Sequence, residues 1–349
     1  MENQEQQHKR RVRYKGTHPR KFNEKYKELQ AEKYGDTIEK VKQKGSTPAG
    51  MHISICVNEI LEFLKIQPGE VGLDATLGYG GHSLEMLKCL ESQGHLYALD
   101  VDPIEIVKTK KRLEEKGFGS EILTIIPQNF CNIDQVASEV GKFDFMLADL
   151  GVSSMQIDNP ERGFTYKFDG PLDLRLNPEK GISAAERLIG ISLNELVGML
   201  DENADEPYAV EISKAVINAM KKGKSITTTT DLRNIIEQAL AFLPQQDRDK
   251  IIKKSCQRTF QGLRIDVNSE FEVLEAFLEK LPEVLAPGGR VAILTFHSGE
   301  DRLVKKSFKR LLKEGVYSDV ATDVIRPSAE ECNMNGRARC TKMRWAIRK

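Results

Sequence analysis

Long apolar runs are missing from this sequence: none approaches the ~20 residues that a membrane-spanning helix needs. Net charge is missing as well, with 52 Lys and Arg balanced by 52 Asp and Glu. Metal-type cysteine spacing is absent too. Cys56, Cys89, Cys131, Cys256, Cys332 and Cys340 include no CxxC pair, so no metal site is expected. Thiols this scattered fit a reducing cytoplasm, with most of them serving as small apolar side chains. The first residues are charged and carry no apolar stretch, so neither a secretory signal nor a membrane partner is expected. A chain of 349 residues that is 40% hydrophobic and 30% charged is a soluble globular one, with one large domain or two ordinary ones.

The charge balance conceals an uneven distribution. Residues 1–45 hold thirteen Lys and Arg against seven Asp and Glu, and Gly336 to Lys349 hold six and no acid. Basic ends on a neutral body can meet phosphates. Residues 1–48 are polar and poor in large aliphatics, and read as a basic, flexible arm joined through the Gly45–Gly50 linker.

A regular pattern follows. Helices are expected over Ser54–Leu64, from about His82, over Pro103–Lys116 and over Ile133–Val140. Strands are expected over Val71–Asp74, His95–Asp100, Glu121–Pro127 and Phe143–Asp149. Strands alternating with helices at this spacing imply right-handed crossovers and a parallel sheet. The pattern breaks after Leu150. Residues 151–182 read as loop, and 183–255 carry helical signals only, with capping boxes at Ser183–Glu186 and Ser192–Glu195 and a cap at Thr230 or Asp231. A helix with Phe271, Leu274, Phe277, Leu278, Leu281 and Leu285 on one face stops at Pro287-Gly288-Gly289. Strand Arg290–Phe296, helix Glu300–Lys313 and a last strand Lys342–Ile347 complete the fold. The expected class is α/β: one sheet domain over 49–154 and 261–349, with a mainly helical insertion over 155–260.

Asp74-Ala-Thr-Leu-Gly-Tyr-Gly80-Gly-His82 sits where the first strand meets the first crossover helix, where glycines let backbone approach a ligand. Asp100 ends the second strand, where a carboxylate can accept from both ribose hydroxyls of an adenosine. A dinucleotide site would read G-x-G-x-x-G, but Ser83 stands in the third glycine's place. Asp74 would repel a pyrophosphate and suits the ammonium of a methionine moiety. These residues therefore favour S-adenosylmethionine over a dinucleotide. Asp149 ends the fourth strand, which places it near the transferred methyl in an open α/β sheet.

Seven stretches resemble the RsmH (MraW) family of small-subunit ribosomal RNA methyltransferases: DATLGYGGHS (74–83), ALDVDP (98–103), DLGVSSMQID (149–158), ERGFTYKFDGPLDLR (161–175), QRTFQGLRIDVNSE (257–270), APGGRVAILTFHSGEDRLVK (286–305) and GRARCTKMR (336–344). The order is the family's, over about residues 50–349. The match departs at the N-terminal arm, at Ala75 and Gly299, in the stretch before Gln257 and in a short loop between Val320 and Asn335. The resemblance implies a class I, Rossmann-like methyltransferase fold with S-adenosylmethionine as cofactor. It implies methylation of the exocyclic N4 of a decoding-region cytidine in 16S ribosomal RNA, within the small subunit or its precursor. Cofactor contacts carried over by motif are Gly80, Gly81, His82, Asp100, Phe130, Asp149 and Gln156.

Cytosine N4 is a poor nucleophile, so an acceptor at its hydrogen assists transfer. Asp149 and Asp173 are the candidates for that role, with His297 as a catalytic-site contact to the base. Asp173 can equally be held in an ion pair with Arg175. Arg162, Arg175, Arg258 and Arg264 are candidate phosphate or base contacts, and Phe164, Tyr166 and Phe260 candidate stacking rings. A non-catalytic RNA-binding assembly factor and a paralogue acting on another RNA cytidine stay open as alternatives. A homodimer is among the assemblies the sequence admits.

Overall fold

The computed structural model describes residues 54–349; the arm expected over 1–48 lies outside them. Helix α1 (Val57–Leu64) leads into β1 (Val71–Asp74), α2 (Gly81–Cys89), β2 (His95–Leu99), α3 (Pro103–Glu114), β3 (Leu123–Ile126), α4 (Ile133–Val140) and β4 (Phe143–Asp149). Five helices follow the short α5 (Ser154–Asp158): α6 (Ala184–Leu188), α7 (Leu193–Ala204), α8 (Ala209–Lys221), α9 (Thr229–Ala239) and α10 (Gln245–Asn268). Then come α11 (Glu270–Val284), β5 (Leu285–Thr295), α12 (Ser298–Lys313), β6 (Tyr317–Val320), α13 (Ala329–Met334) and β7 (Lys342–Arg348).

The strands form one sheet in the order β3-β2-β1-β4-β5-β7-β6. The first five run parallel, and β7 runs antiparallel to both of its neighbours. Both faces of a parallel sheet are covered, so its strands read as nearly unbroken apolar runs, as FDFMLAD of β4 does. Alternation still sorts the side chains. Met146 and Ala148 join Phe277 and Leu281 of α11 and Phe308 of α12 on one face. Phe145 and Leu147 join Ile60 and Leu64 of α1 and Met86 of α2 on the other. Register levels the strand tips, with Asp74 beside Ala98 and Leu147, and Asp149 beside Leu294. The acidic residues ending β1, β2 and β4 thus come to one edge.

The helices after β4 pack around a core of their own, from Phe164 and Leu172 to Phe260 and Leu263. The insertion expected to end at residue 260 stops inside α10, which continues to Asn268 and turns at Ser269 in left-handed backbone, φ 49°. Other differences have local causes. Pro287-Gly288-Gly289 does not end the preceding helix; it lies in a register shift of β5, where Phe143 faces Leu285 and Phe145 faces Arg290. Thr228 caps α9, so Asp231 takes the reciprocal third position of the capping box. Strand β6 escapes notice because only the ends of Tyr-Ser-Asp-Val are buried. The basic C-terminal run is largely consumed by the fold: Lys342 and Arg344 pair with Asp301 at 3.1 and 2.6 Å, and Arg337 with Asp158 at 2.9 Å.

Gly72 permits the closest approach between β1 and β4, because a Cβ there would enter the ring of Phe145. Gly72→Val therefore overpacks the core and lowers unfolding free energy by about 1–3 kcal/mol. Urea denaturation of variant and parent, read at equal m-value, checks this.

Candidate active site

The site grows from the turn after β1. Asp74 is 1% exposed and accepts from the Ser83 hydroxyl at 2.6 Å and the Thr76 N–H at 3.0 Å. Thr76 in turn accepts from the Asp149 N–H at 2.6 Å, so one hydroxyl ties the tips of β1 and β4 together. The loop beyond is pinned from α3. Thr109 donates to the Gly78 carbonyl at 2.6 Å, and Arg112 donates to the Tyr79 carbonyl at 2.6 Å while lying 3.5 Å above the Tyr79 ring. Gly80 enters α2 in left-handed backbone, φ 78°, and a Cβ there would meet Thr109 Cγ2 at 2.6 Å. No side chain caps α2, so its first-turn N–H groups at Gly81 and His82 stay available to a ligand.

Asp100 accepts the Gly78 N–H at 2.7 Å and the Asp102 N–H at 2.9 Å, one on each oxygen. Each oxygen retains a lone pair for a further donor, as a ribose diol would supply. Burial pushes the Asp100 carboxyl up to about 6, against the pull of those N–H groups. Burial likewise pushes Asp149 up to about 6, opposed by His82 and reinforced by Asp74 and Glu300. His82 Nδ1 lies 3.4 Å from Asp149 Oδ2, and its Nε2 meets the Ile55 carbonyl at 2.9 Å. Asp149 Oδ1 is buried with no hydrogen-bond partner.

His297 stands at the start of α12, just past the tip of β5. Its Nε2 is 3.1 Å from Glu300 Oε1, and its Nδ1 is buried without a partner. Burial works to raise Glu300, and the His297 imidazole with the Phe296 N–H outweighs it, holding Glu300 below its ordinary value. Asp173 has both oxygens on Arg175, at 2.8 and 2.7 Å. Burial works to raise it, and Arg175 holds it below the usual carboxylate range. Phe130, in the turn after β3, packs edge-on against Phe277 at 5.1 Å.

Gln156 has both amide ends engaged. Its carbonyl accepts the Ser153 N–H at 2.9 Å, and its amino group donates to Asp102 at 2.9 Å. Asp102 is the residue the sequence reading missed. It is fully buried, caps α3 through the Ile104 and Glu105 N–H groups, and receives Arg162 at 2.6 Å. Its visible signal was Asp-Pro at a helix start. Arg162 also donates to the Arg175 and Leu176 carbonyls at 3.1 and 2.8 Å. Three of the four arginines expected at RNA are therefore internal: Arg162 on Asp102, Arg175 on Asp173, and Arg264 on Glu270 at 2.7 and 2.8 Å. Arg258 is half-buried and makes no ion pair among the described residues. Phe164 and Phe260 are buried in the helical core and Tyr166 packs beside them, so these rings serve packing.

The donor set fits S-adenosylmethionine: an unpartnered carboxylate oxygen for cationic groups, a second carboxylate for the ribose, and uncapped N–H groups between them. Phosphates would meet three carboxylates. Sheet order and site together define a class I S-adenosylmethionine-dependent methyltransferase. The chain belongs to the MraW methylase family, whose profile matches residues 49–349. It is 74% identical over 347 residues to Ribosomal RNA small subunit methyltransferase H 1 of Lachnoclostridium phytofermentans, covering 99% of this chain and 95% of that one. With Ribosomal RNA small subunit methyltransferase H 2 of Alkaliphilus metalliredigens it shares 69% over 348 residues, 100% of both chains. Both alignments include the N-terminal arm. Methyltransferase H of Maridesulfovibrio salexigens is 36% identical over 326 residues, 88% of this chain and 98% of that one.

Asp100 and Asp149 have raised values in the folded protein. Their contribution to stability is full below the ordinary carboxylate range and is lost as pH rises through about 6. A cationic cofactor with ribose donors prefers the ionised carboxylates. Its Kd should therefore rise about tenfold as pH falls from 7 to 5, and Asp100→Asn should flatten the profile; calorimetric titration across that range checks both.

Removing Arg162 leaves Asp102 charged and buried. Arg162→Ala should cost about 3–5 kcal/mol of stability and loosen the N–H that holds Asp100. Thermal melts with and without cofactor, compared with Arg162→Lys, read both effects.

Proposed function

We propose that this chain methylates the exocyclic N4 of a decoding-region cytidine in small-subunit ribosomal RNA, in the cytoplasm, on the subunit or its precursor. The relatives' names supply the substrate class, and one structural observation carries the chemistry: the buried, unpartnered Asp149 Oδ1 at the tip of β4. The complete set of Asp74, Asp100 and Asp149 favours an enzyme over a non-catalytic RNA-binding factor.

S-adenosylmethionine, when bound, supplies an electrophilic methyl on sulfur. Gly80, Gly81 and His82 would hold its methionine end, Asp100 its ribose and Phe130 its adenine side. Gln156 acts through Asp102, keeping α3 and Asp100 in place. Asp149 accepts a hydrogen from the target amine, drawing its lone pair out of conjugation and stabilising the positive charge that develops on nitrogen. A carboxyl near 6 is ionised at neutral pH and suited to receive that proton. His82, beside Asp149, orients the carboxylate. His297, just past the tip of β5 and paired with Glu300, would contact a polar edge of the base. Asp173 is held in a two-point pair with Arg175, which holds its loop. The target base has to leave its stack to enter the crevice.

Nucleoside mass spectrometry of small-subunit RNA from cells with and without this protein tests the reading. N4-methylcytidine should disappear at one position on deletion and return with the parent chain. Asp149→Asn should lower the methylation rate about 100-fold. Loss of a different modification, or none, contradicts the assignment.

A further inference from the structure

Helix α12 carries a stripe that neither the fold nor the crevice uses. Val304, Phe308 and Leu311 bury its inner side against the sheet. Arg302, Lys305, Lys306, Lys309 and Lys313 are all exposed. At about 100° per residue these five fall within an arc of about 100°, one narrow line along the helix. No acid lies in that line. Glu300 is buried, Asp301 is taken by Lys342 and Arg344, and Glu314 faces Arg310 at 3.7 Å. Helix α3 differs, since Lys108 and Lys111 there meet Glu105 and Glu115 at 3.0 and 3.9 Å.

Like charges four apart on a helix repel. The stripe has three such pairs: Arg302 with Lys306, Lys305 with Lys309, and Lys309 with Lys313. Nothing within the described residues relieves them. An evenly spaced polyanion would. The line extends about 16 Å at about 1.5 Å per residue. It begins five residues after His297, which the reading above places at the base. An acidic membrane surface is the poorer match, because an interfacial helix buries an apolar face in lipid and this helix has spent its apolar face on the sheet.

We infer that the Arg302–Lys313 stripe binds the phosphates of the RNA strand flanking the target nucleotide, holding it along α12 as the base enters the crevice. This inference rests on the ribosomal RNA reading above. It is tested with K305Q/K306Q/K309Q, binding small ribosomal subunits from cells that lack this protein, over a salt series. The parent chain is measured first; if it fails to bind the subunits, the ribosomal reading falls and takes the stripe with it.

With parent binding established, the triple variant should bind at least about tenfold more weakly at low salt. Its slope of log K against log salt should shrink by about two, given ~0.7 per phosphate contact on a single strand. Cofactor Kd and melting temperature should not fall. K305R/K306R/K309R should retain the parent slope, as should K221Q/K222Q/K224Q, which neutralises a different exposed cluster. The inference is overturned if the glutamine triple keeps the parent slope and affinity. It is equally overturned if that triple loses binding only to phosphatidylglycerol vesicles.

Discussion

Everything at this site follows from carboxylates brought close together at a water-poor edge of a sheet. Parallel strands in register deliver Asp74, Asp100 and Asp149 to one side, and crossover helices cover both faces. Burial then works against ionising each of them. Three compensations keep the cluster in place: the Ser83 and Thr76 donors on Asp74, the backbone N–H groups on Asp100, and the imidazole of His82 beside Asp149. What is left uncompensated, Asp149 Oδ1, marks where a ligand's positive charge or hydrogen is wanted.

A second layer holds this one rigid. Asp102 is two residues beyond Asp100 and collects two helix N–H groups, the amide of Gln156 and the guanidinium of Arg162. The buried ion pair joins the Asp100 side of the crevice to the first turns of the helical segment after β4. Movement in that segment therefore has a direct mechanical route to the N–H that orients Asp100. Such a pair contributes little net stability over an apolar substitute, but breaking it is costly. It is better understood as a register device than as a source of stability.

The sheet and the three strand-tip acids were legible because each strand is a short apolar run closed by an acid. Alternation with helices forces those ends to one edge. Partnerships between distant residues were not legible. Arg162 meets Asp102 across 60 positions, and nothing local distinguishes it from a solvent-facing arginine. Arg175 and Arg264 pair locally instead, with Asp173 two positions back and Glu270 six positions on; the first of these pairs was already open as an alternative in the sequence. Strand β6 was missed because four residues with a polar middle carry no periodic signal. The basic line on α12 was hidden in the opposite way, since its residues are spread through an amphipathic run and converge only once the helix is wound.

The central claim is that the strand-tip carboxylates receive the cofactor. A crystal structure of this chain with S-adenosylhomocysteine tests it most directly. The account predicts ribose hydroxyls on the Asp100 carboxylate and the sulfur side of the ligand toward Asp149. A ligand bound away from these strand tips, with the carboxylates unchanged, would contradict it.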